Sequence, residues 1–311
     1  MAEFIPYAQK PGWEDVVPKP QEEGRDPLSP IAYTQEYRDA MDTFRALVHA
    51  DEKSERALQL TEHIIRMNAA HYSVWAYRSS ILFAIEADLS KELDLMDELM
   101  KEHIKSYQVW QVQHRRNVVT KLNQSEREIP FINRVLAEDS KNYHTWAYRQ
   151  WVLCHFDLEE LWANELAFVD QLLEDDVRNN SAWNHRWFCV FERPDGGKDN
   201  VHAEIEYSKE KIRISPSNPS SWNYLRGILN LTKMPYFTLK SFAEEFTVGT
   251  AISVPAMEFL ADALVAEARS KDGAEKDKSL SEARTIYQSL ATELDPVRRR
   301  YWEHRLNLGK L

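Results

Sequence analysis

Three short stretches of this 311-residue chain bring phenols, ammonium groups and an imidazole together at a fixed distance from a tryptophan: "AHYSVW" at 70–75, "KSYQVW" at 105–110 and "KNYHTW" at 141–146. Tyr72, Tyr107 and Tyr143 stand three residues before their Trp, Lys105 and Lys141 five before, and Gln108 and His144 two before. His71, Ser106, Asn142, Asn179 and Asn218 stand four before the successive tryptophans. Four of these five are good helix N-caps, because a side-chain oxygen can accept from the orphan amides of a first turn. Each tyrosine is then the first residue of a helix, where free amides and the positive end of the helix dipole favour an anion. A row of such starts carrying Lys, Tyr and His has the chemistry to hold a phosphate-rich group. The same residues also suit tyrosines packed beneath turns beside solvated lysines, and spacing alone leaves both readings open.

The elements that would position this row repeat. Trp75, Trp110, Trp146, Trp183 and Trp222 are spaced by 35, 36, 37 and 39 residues, and "YWEHR" at 301–305 adds a later marker. Self-similarity at this period signals helical hairpins, each burying its apolar face against its neighbours. We therefore expect an all-α fold of about seven antiparallel hairpins with atypical ends, stacked as a right-handed solenoid or crescent over residues 31–311. The proline-rich residues 1–30 lack periodicity and read as a flexible tail. In "LEELWANELAFVDQLLEDD", the spacing predicts one continuous face of Leu158, Leu161, Trp162, Leu166, Val169, Leu172 and Leu173. Pro219 follows Asn218, where proline favours a helix start.

The pairs Trp75/Arg78, Trp146/Arg149, Trp183/Arg186 and Trp302/Arg305 share a spacing of three and hence a helix face. Their repetition argues for scaffold, with each guanidinium reaching carboxylates of an adjacent repeat. The second repeat departs from the pattern. It reads "QVWQVQHRR", so Arg115 falls five residues after Trp110. Two additional helical residues rotate the downstream face by about 200°, which puts Arg115 and Arg116 in question as repeat arginines.

Composition narrows the function classes. A net charge of −11 argues against a nucleic-acid or anionic-membrane surface. No apolar run is long enough to span a bilayer, and the N-terminus lacks a signal-peptide core. Cys154 and Cys189 sit in amphipathic patterns and read as buried thiols of an intracellular, cytoplasmic protein. Cys154-His155 is merely adjacent, and neither C-x-x-C nor H-E-x-x-H spacing occurs, so no zinc site is expected in this chain. "PDGGKD" at 194–199 reads as a surface turn rather than a phosphate loop.

Five stretches in order carry a family resemblance: 51–78, "KSYQVW", "KNYHTWAYRQWV" at 141–152, 164–188 and "SSWNYLRGIL" at 220–229. Together they resemble the α subunit shared by protein farnesyltransferase and protein geranylgeranyltransferase type I. The resemblance implies a helical crescent around a β subunit that carries a catalytic zinc and most of the isoprenoid pocket, with this chain inactive alone. The heterodimer would transfer a farnesyl or geranylgeranyl group from its diphosphate, with magnesium as a companion of the diphosphate, to the C-terminal C-a-a-X cysteine of substrates such as Ras-like and Rho-like GTPases. By matching motif, Lys105, Tyr143 and His144 resemble the diphosphate-contacting residues. Gln108 matches the glutamine at the peptide carboxylate, and Tyr107 and Tyr72 match tyrosines lining the same opening. Two other readings remain: a tetratricopeptide-like adaptor without catalytic role, and the α subunit of the Rab geranylgeranyltransferase.

Overall fold

The structure, a computed structural model, describes residues 4–22, 24, 28–29, 31–102, 112–193, 200–249 and 252–308. Among the described residues there are helices and turns and no strand. The chain divides into two compact units, 1–156 and 157–311.

The first unit contains α1 (Gln35–His49), α2 (Glu55–Met67), α3 (Tyr72–Ala84), α4 (Leu89–Glu102), α5 (Val112–Leu122), α6 (Glu128–Glu138) and α7 (Tyr143–Phe156). Helices α2 and α3, α4 and α5, and α6 and α7 pair as hairpins, with α1 packed on α2. The second unit contains α8 (Glu159–Trp162), α9 (Glu165–Asp175), α10 (Asn180–Trp187), α11 (Val201–Ile214), α12 (Pro219–Thr232), α13 (Lys240–Glu244), α14 (Val254–Ala268), α15 (Gly273–Ser289) and α16 (Arg299–Leu308). Here α9 pairs with α10, α11 with α12, α14 with α15, and α15 with α16. Helices α10 and α15 each run on into a π-helical turn, over Phe188–Glu192 and Leu290–Leu294.

The turns inside the hairpins share one conformation. Asn68, Asp139, Asp176 and Ser215 end the preceding helices with φ between −139° and −147° and ψ between 80° and 92°. Three residues on, the backbone amides of His71, Asn142, Asn179 and Asn218 donate back to the carbonyls of those four residues at 2.9–3.1 Å. The tryptophans fasten these turns. The indole Nε1 of Trp75, Trp146, Trp183 and Trp222 donates to the carbonyl six residues earlier, of Ala69, Ser140, Val177 and Pro216, at 2.8–3.0 Å. A buried indole is a large apolar body with one donor to satisfy, so the same side chain fills the core and fixes the turn. Asn142, Asn179 and Asn218 cap as expected, accepting from first-turn amides at 3.0–3.3 Å, whereas His71 makes no side-chain cap bond.

Between hairpins runs a chain of buried ion pairs. Arg78 on α3 forks onto Glu92 on α4 at 2.7–3.0 Å, and His114 Nε2 on α5 meets the same carboxylate at 2.8 Å. Arg115 on α5 forks onto Glu128 on α6 at 2.7 and 3.0 Å, and the Tyr148 hydroxyl on α7 donates to Glu128 at 2.6 Å. In the second unit Arg186 on α10 forks onto Glu204 on α11 at 2.6 and 2.7 Å, with Tyr224 on α12 donating at 2.7 Å. The acids all lie in the first turn of their helix, where the dipole also favours a negative charge. Burial and the neighbouring Glu128 and Glu204 carboxylates push the Tyr148 and Tyr224 phenols far up, which keeps them as donors.

The expected reach of Trp-x-x-Arg arginines to an adjacent repeat is thus met at Arg78 and Arg186. Arg115 corrects the expectation drawn from the two-residue insertion: it fills the same role, because His114 and Arg115 meet the acids Glu92 and Glu128 as the other repeats' residues meet theirs. Trp110 itself lies outside the described residues.

Three further readings differ from the structure. The segment 158–173 is not one helix: α8 ends at Trp162 and α9 starts at Glu165, leaving Leu158 and Leu166 largely exposed. Trp162 stacks on Phe188 and donates to Asp157 at 3.1 Å, while Glu165 takes the buried acid's place, and one straight helix would separate these contacts. Cys154 is exposed, whereas Cys189 is buried. Within the stretch read as a tail, residues 4–22 lie against α1 and α2. Tyr7 and Trp13 are buried there, the Tyr7 hydroxyl is 2.7 Å from His63 Nδ1, and Arg56 pairs with Asp15 at 2.7–2.8 Å. Large rings supply the apolar area that a polar tail lacks.

The core of the second unit also demands one glycine. A Cβ on Gly227 of α12 would come within 2.8 Å of the Trp187 ring, so the indole lies directly on the helix backbone.

Burial opposes ionisation of Glu92, but His114 and Arg78 outweigh it and hold its pKa at about 2. A depressed carboxylate contributes stability that is complete above its ordinary value near 4.5 and lost as pH falls from there toward about 2. Urea unfolding of the full chain at pH 7 and pH 3 should show this as an acid-side loss reduced by ~1–3 kcal/mol in Glu92→Gln. The variant should already be weakened at pH 7, since its buried arginine loses a charged partner.

Candidate functional site

The residues singled out for chemistry lie in the first unit, and the structure describes three of them. Tyr72 is the first residue of α3 and Tyr143 the first residue of α7, in equivalent positions of two hairpins. Both rings are held out from the protein, at 72% and 78% exposure. His144 is half-buried beside Tyr143, its ring centroid 5.4 Å away at an interplanar angle of 80°. Lys105, Tyr107 and Gln108 lie outside the described residues.

The placement of Tyr143 and His144 follows from the local sequence. Asp139 ends α6 and its Oδ1 accepts from the Lys141 amide at 3.2 Å, which turns the chain. Asn142 accepts from the Thr145 amide at 3.0 Å and from its hydroxyl at 2.8 Å. Trp146 ties the turn from below through Ser140. A capped, tethered helix start leaves the next residue no choice but to point outward, and that residue is Tyr143. The exposed phenol is therefore costly in apolar surface and supported by a rigid base. Such exposed aromatics on rigid turns mark binding more often than packing.

At α3 the corresponding turn differs. His71 replaces the capping Asn, its Nδ1 is buried without a hydrogen-bond partner, and burial, assisted by Arg45, pushes its pKa down. A neutral imidazole beneath Tyr72 leaves the dipole end of α3 without an additional positive charge.

Chemically, α7 offers a phenol donor, an imidazole and a helix N-terminus on one edge. These can bind and stabilise a phosphoryl group. For metals, one trio of described residues comes together: Glu165, His185 and Cys189, whose ligand atoms lie within 4.8 Å of one another. His185 Nε2 meets Glu165 at 2.7 Å, as His114 meets Glu92. Glu165 also heads its helix like the other buried acids, so the arrangement is that of the scaffold clamp. Sequence reading missed this acid–His/Tyr partnership. Its signal was present, since Tyr148, His185 and Tyr224 each stand two residues after a Trp.

A helical-hairpin repeat with its Trp-tied turns and Arg–Glu clamps defines the class. The family model described as protein prenyltransferase alpha subunit repeat matches residues 54–85, 125–156, 162–193 and 201–232, which contain the hairpins α2–α3, α6–α7, α9–α10 and α11–α12. The chain is 34% identical to the protein farnesyltransferase/geranylgeranyltransferase type-1 subunit alpha of Candida albicans over 95% of this chain and 96% of that one. It is 37% identical to the subunit of the same description from Solanum lycopersicum, over 99% and 92% of the two chains. Among solved structures, a chain of Candida albicans protein geranylgeranyltransferase-I complexed with GGPP matches with a TM-score of 0.84 and 33% identity, covering 95% of this chain and 98% of that one. This chain belongs to the family of protein farnesyltransferase/geranylgeranyltransferase type-1 α subunits.

Asn142→Ala should cost ~1 kcal/mol of stability by uncapping α7. Hydrogen exchange should show faster opening at Thr145 and Trp146, with α3 unchanged.

Proposed function

We propose that this chain is the α subunit of a heterodimeric protein prenyltransferase acting on C-a-a-X substrates, with Tyr143 and His144 on the diphosphate side of the shared site. What supports the reading is the full-length similarity to type-1 α subunits together with the exposed phenol–imidazole pair at a tethered helix start. The similarity runs over nearly all of both chains, which favours the type-1 subunit over an adaptor or the Rab-type subunit.

In this reading the partner is a β subunit. A zinc ion held by that partner would keep the substrate cysteine as thiolate. The sulfur forms a bond to C1 of the isoprenoid, the bond from C1 to the diphosphate oxygen breaks, and the electron pair leaves with the diphosphate. Groups aimed at that departing charge before the reaction help most. Lys105 contributes a positive charge, Tyr143 and His144 contribute donors, and the N-terminus of α7 contributes its dipole. Magnesium accompanying the diphosphate would add positive charge at the same place. Tyr72 and Tyr107 line the opening, and Gln108 holds the terminal carboxylate of the peptide. The α chain thus acts through leaving-group stabilisation, while prenyl length and protein substrate are selected with the β subunit.

The test is single-turnover prenyl transfer by the purified complex, with farnesyl and geranylgeranyl diphosphate compared. Lys105→Ala should slow the chemical step by about 10²–10³ while the complex still copurifies. Tyr143→Phe, which loses one hydroxyl from an exposed position, should slow it by about tenfold. Unchanged rates in both variants would overturn the assignment.

A further inference from the structure

The second unit has a cavity of about 620 Å³ between the C-terminal ends of α12 and α14 and the helices α15 and α16. Its volume is that of a small-molecule site. Four cationic side chains line it, Arg226, Lys233, Arg269 and Arg305, against one carboxylate, Asp262. In a chain of net charge −11, this local excess is opposite in sign to the whole.

The excess arises from a changed clamp. Upstream, Arg115 takes two acids, Glu128 and Asp97, and Arg186 takes Glu204 and Asp170. Here two arginines converge on one acid. Arg226 Nη1 and Arg305 Nη2 both pair with Asp262, whose carboxylate also accepts from the Tyr287 hydroxyl at 2.6 Å. Glu258 is 3.8 Å from Arg305 and accepts from Tyr301 at 2.8 Å, so it compensates only partly. Arg226 Nη2 is buried without a hydrogen-bond partner. An unsatisfied buried donor on a cationic group is costly and leaves the charge of Arg226 incompletely compensated by Asp262. Lys233 and Arg269 stand exposed on the rim and form no ion pair among the described residues. Lys233 also ends α12 in a left-handed conformation, φ 56°.

We infer that this cavity is an anion site for a small phosphorylated molecule. Guanidinium forks match phosphoryl oxygens in pairs, and two rim cations beyond the arginines suit more than one negative charge. Met234 and Val265 on the wall leave room for an apolar portion. The site lies in the second unit, whereas the residues of the proposed transfer site lie in the first, and it does not depend on that function.

The test uses the full-length chain purified with the subunit it assembles with, and the double variant Lys233→Glu/Arg269→Glu, whose exposed positions spare the fold. Calorimetric titration with inorganic pyrophosphate should show binding that the double variant weakens by about tenfold or more and that added salt also weakens. Prenyl transfer should be the same in both proteins, so pyrophosphate bound at a catalytic site cancels in the comparison. Vesicles of phosphatidylcholine doped with phosphatidic acid form a second arm. Pyrophosphate sensitivity assigns the phosphoryl group to a soluble compound, and variant-sensitive sedimentation with vesicles alone assigns it to a lipid headgroup. Equal behaviour of wild type and variant in both arms would overturn the inference.

Discussion

A carboxylate buried at the head of a helix is the constraint around which each pair of hairpins is arranged. Glu92, Glu128 and Glu204 have no water to solvate them, so each must be met by an arginine from the preceding hairpin and by a histidine or tyrosine from its own. A buried pair of this kind adds little net stability over a well-packed apolar core, yet losing one member costs several kcal/mol, about 3–5. Its contribution is therefore registry. The arginine fixes where the next hairpin sits, and the histidine or tyrosine fixes the rotation of the second helix against the first.

The tryptophans act at right angles to this. Each indole tethers the turn through which the chain enters the second helix, and that turn fixes what the first helical residue can do. Scaffold and site are consequently made by adjacent residues of one motif. In 140–153, Trp146 holds Ser140, Asn142 caps, and Tyr143 has nowhere to go but outward, while Tyr148 and Arg149 turn inward to the clamp layer. A sequence position two residues from the core can be fully exposed because the intervening turn is rigid.

Much of this was legible beforehand. The period of the tryptophans revealed hairpins, the Asx residues marked helix starts, and the arginine spacing pointed to inter-repeat pairs. What escaped notice depends on three dimensions. The acid's second partner was invisible because a Tyr or His two residues after Trp has no meaning until the facing helix is placed. Arg115 looked displaced because linear spacing from Trp110 was the only ruler, whereas the acid it must neutralise sets its position. The break between Trp162 and Glu165 was hidden by an apolar pattern that continues across it, although the Trp162–Phe188 stack and the acid position cannot share one straight helix. At the candidate site the helix start of Tyr143 was readable from capping, but whether its ring packs beneath the turn or faces outward was settled only by the structure, where it is exposed.

The turn conformation shared by Asn68, Asp139, Asp176 and Ser215 also bears on how such a chain can change over time. Its bonds come from the main chain, from an asparagine or aspartate and from the indole of the following tryptophan, so the outward-facing first residue of the helix is under no packing obligation. Substitutions there leave the interior intact, whereas exchanging whole hairpins would strand a guanidinium opposite the wrong acid. The edge of helix starts can therefore take substitutions that the clamp layer cannot, and the clamps fix the order of the hairpins.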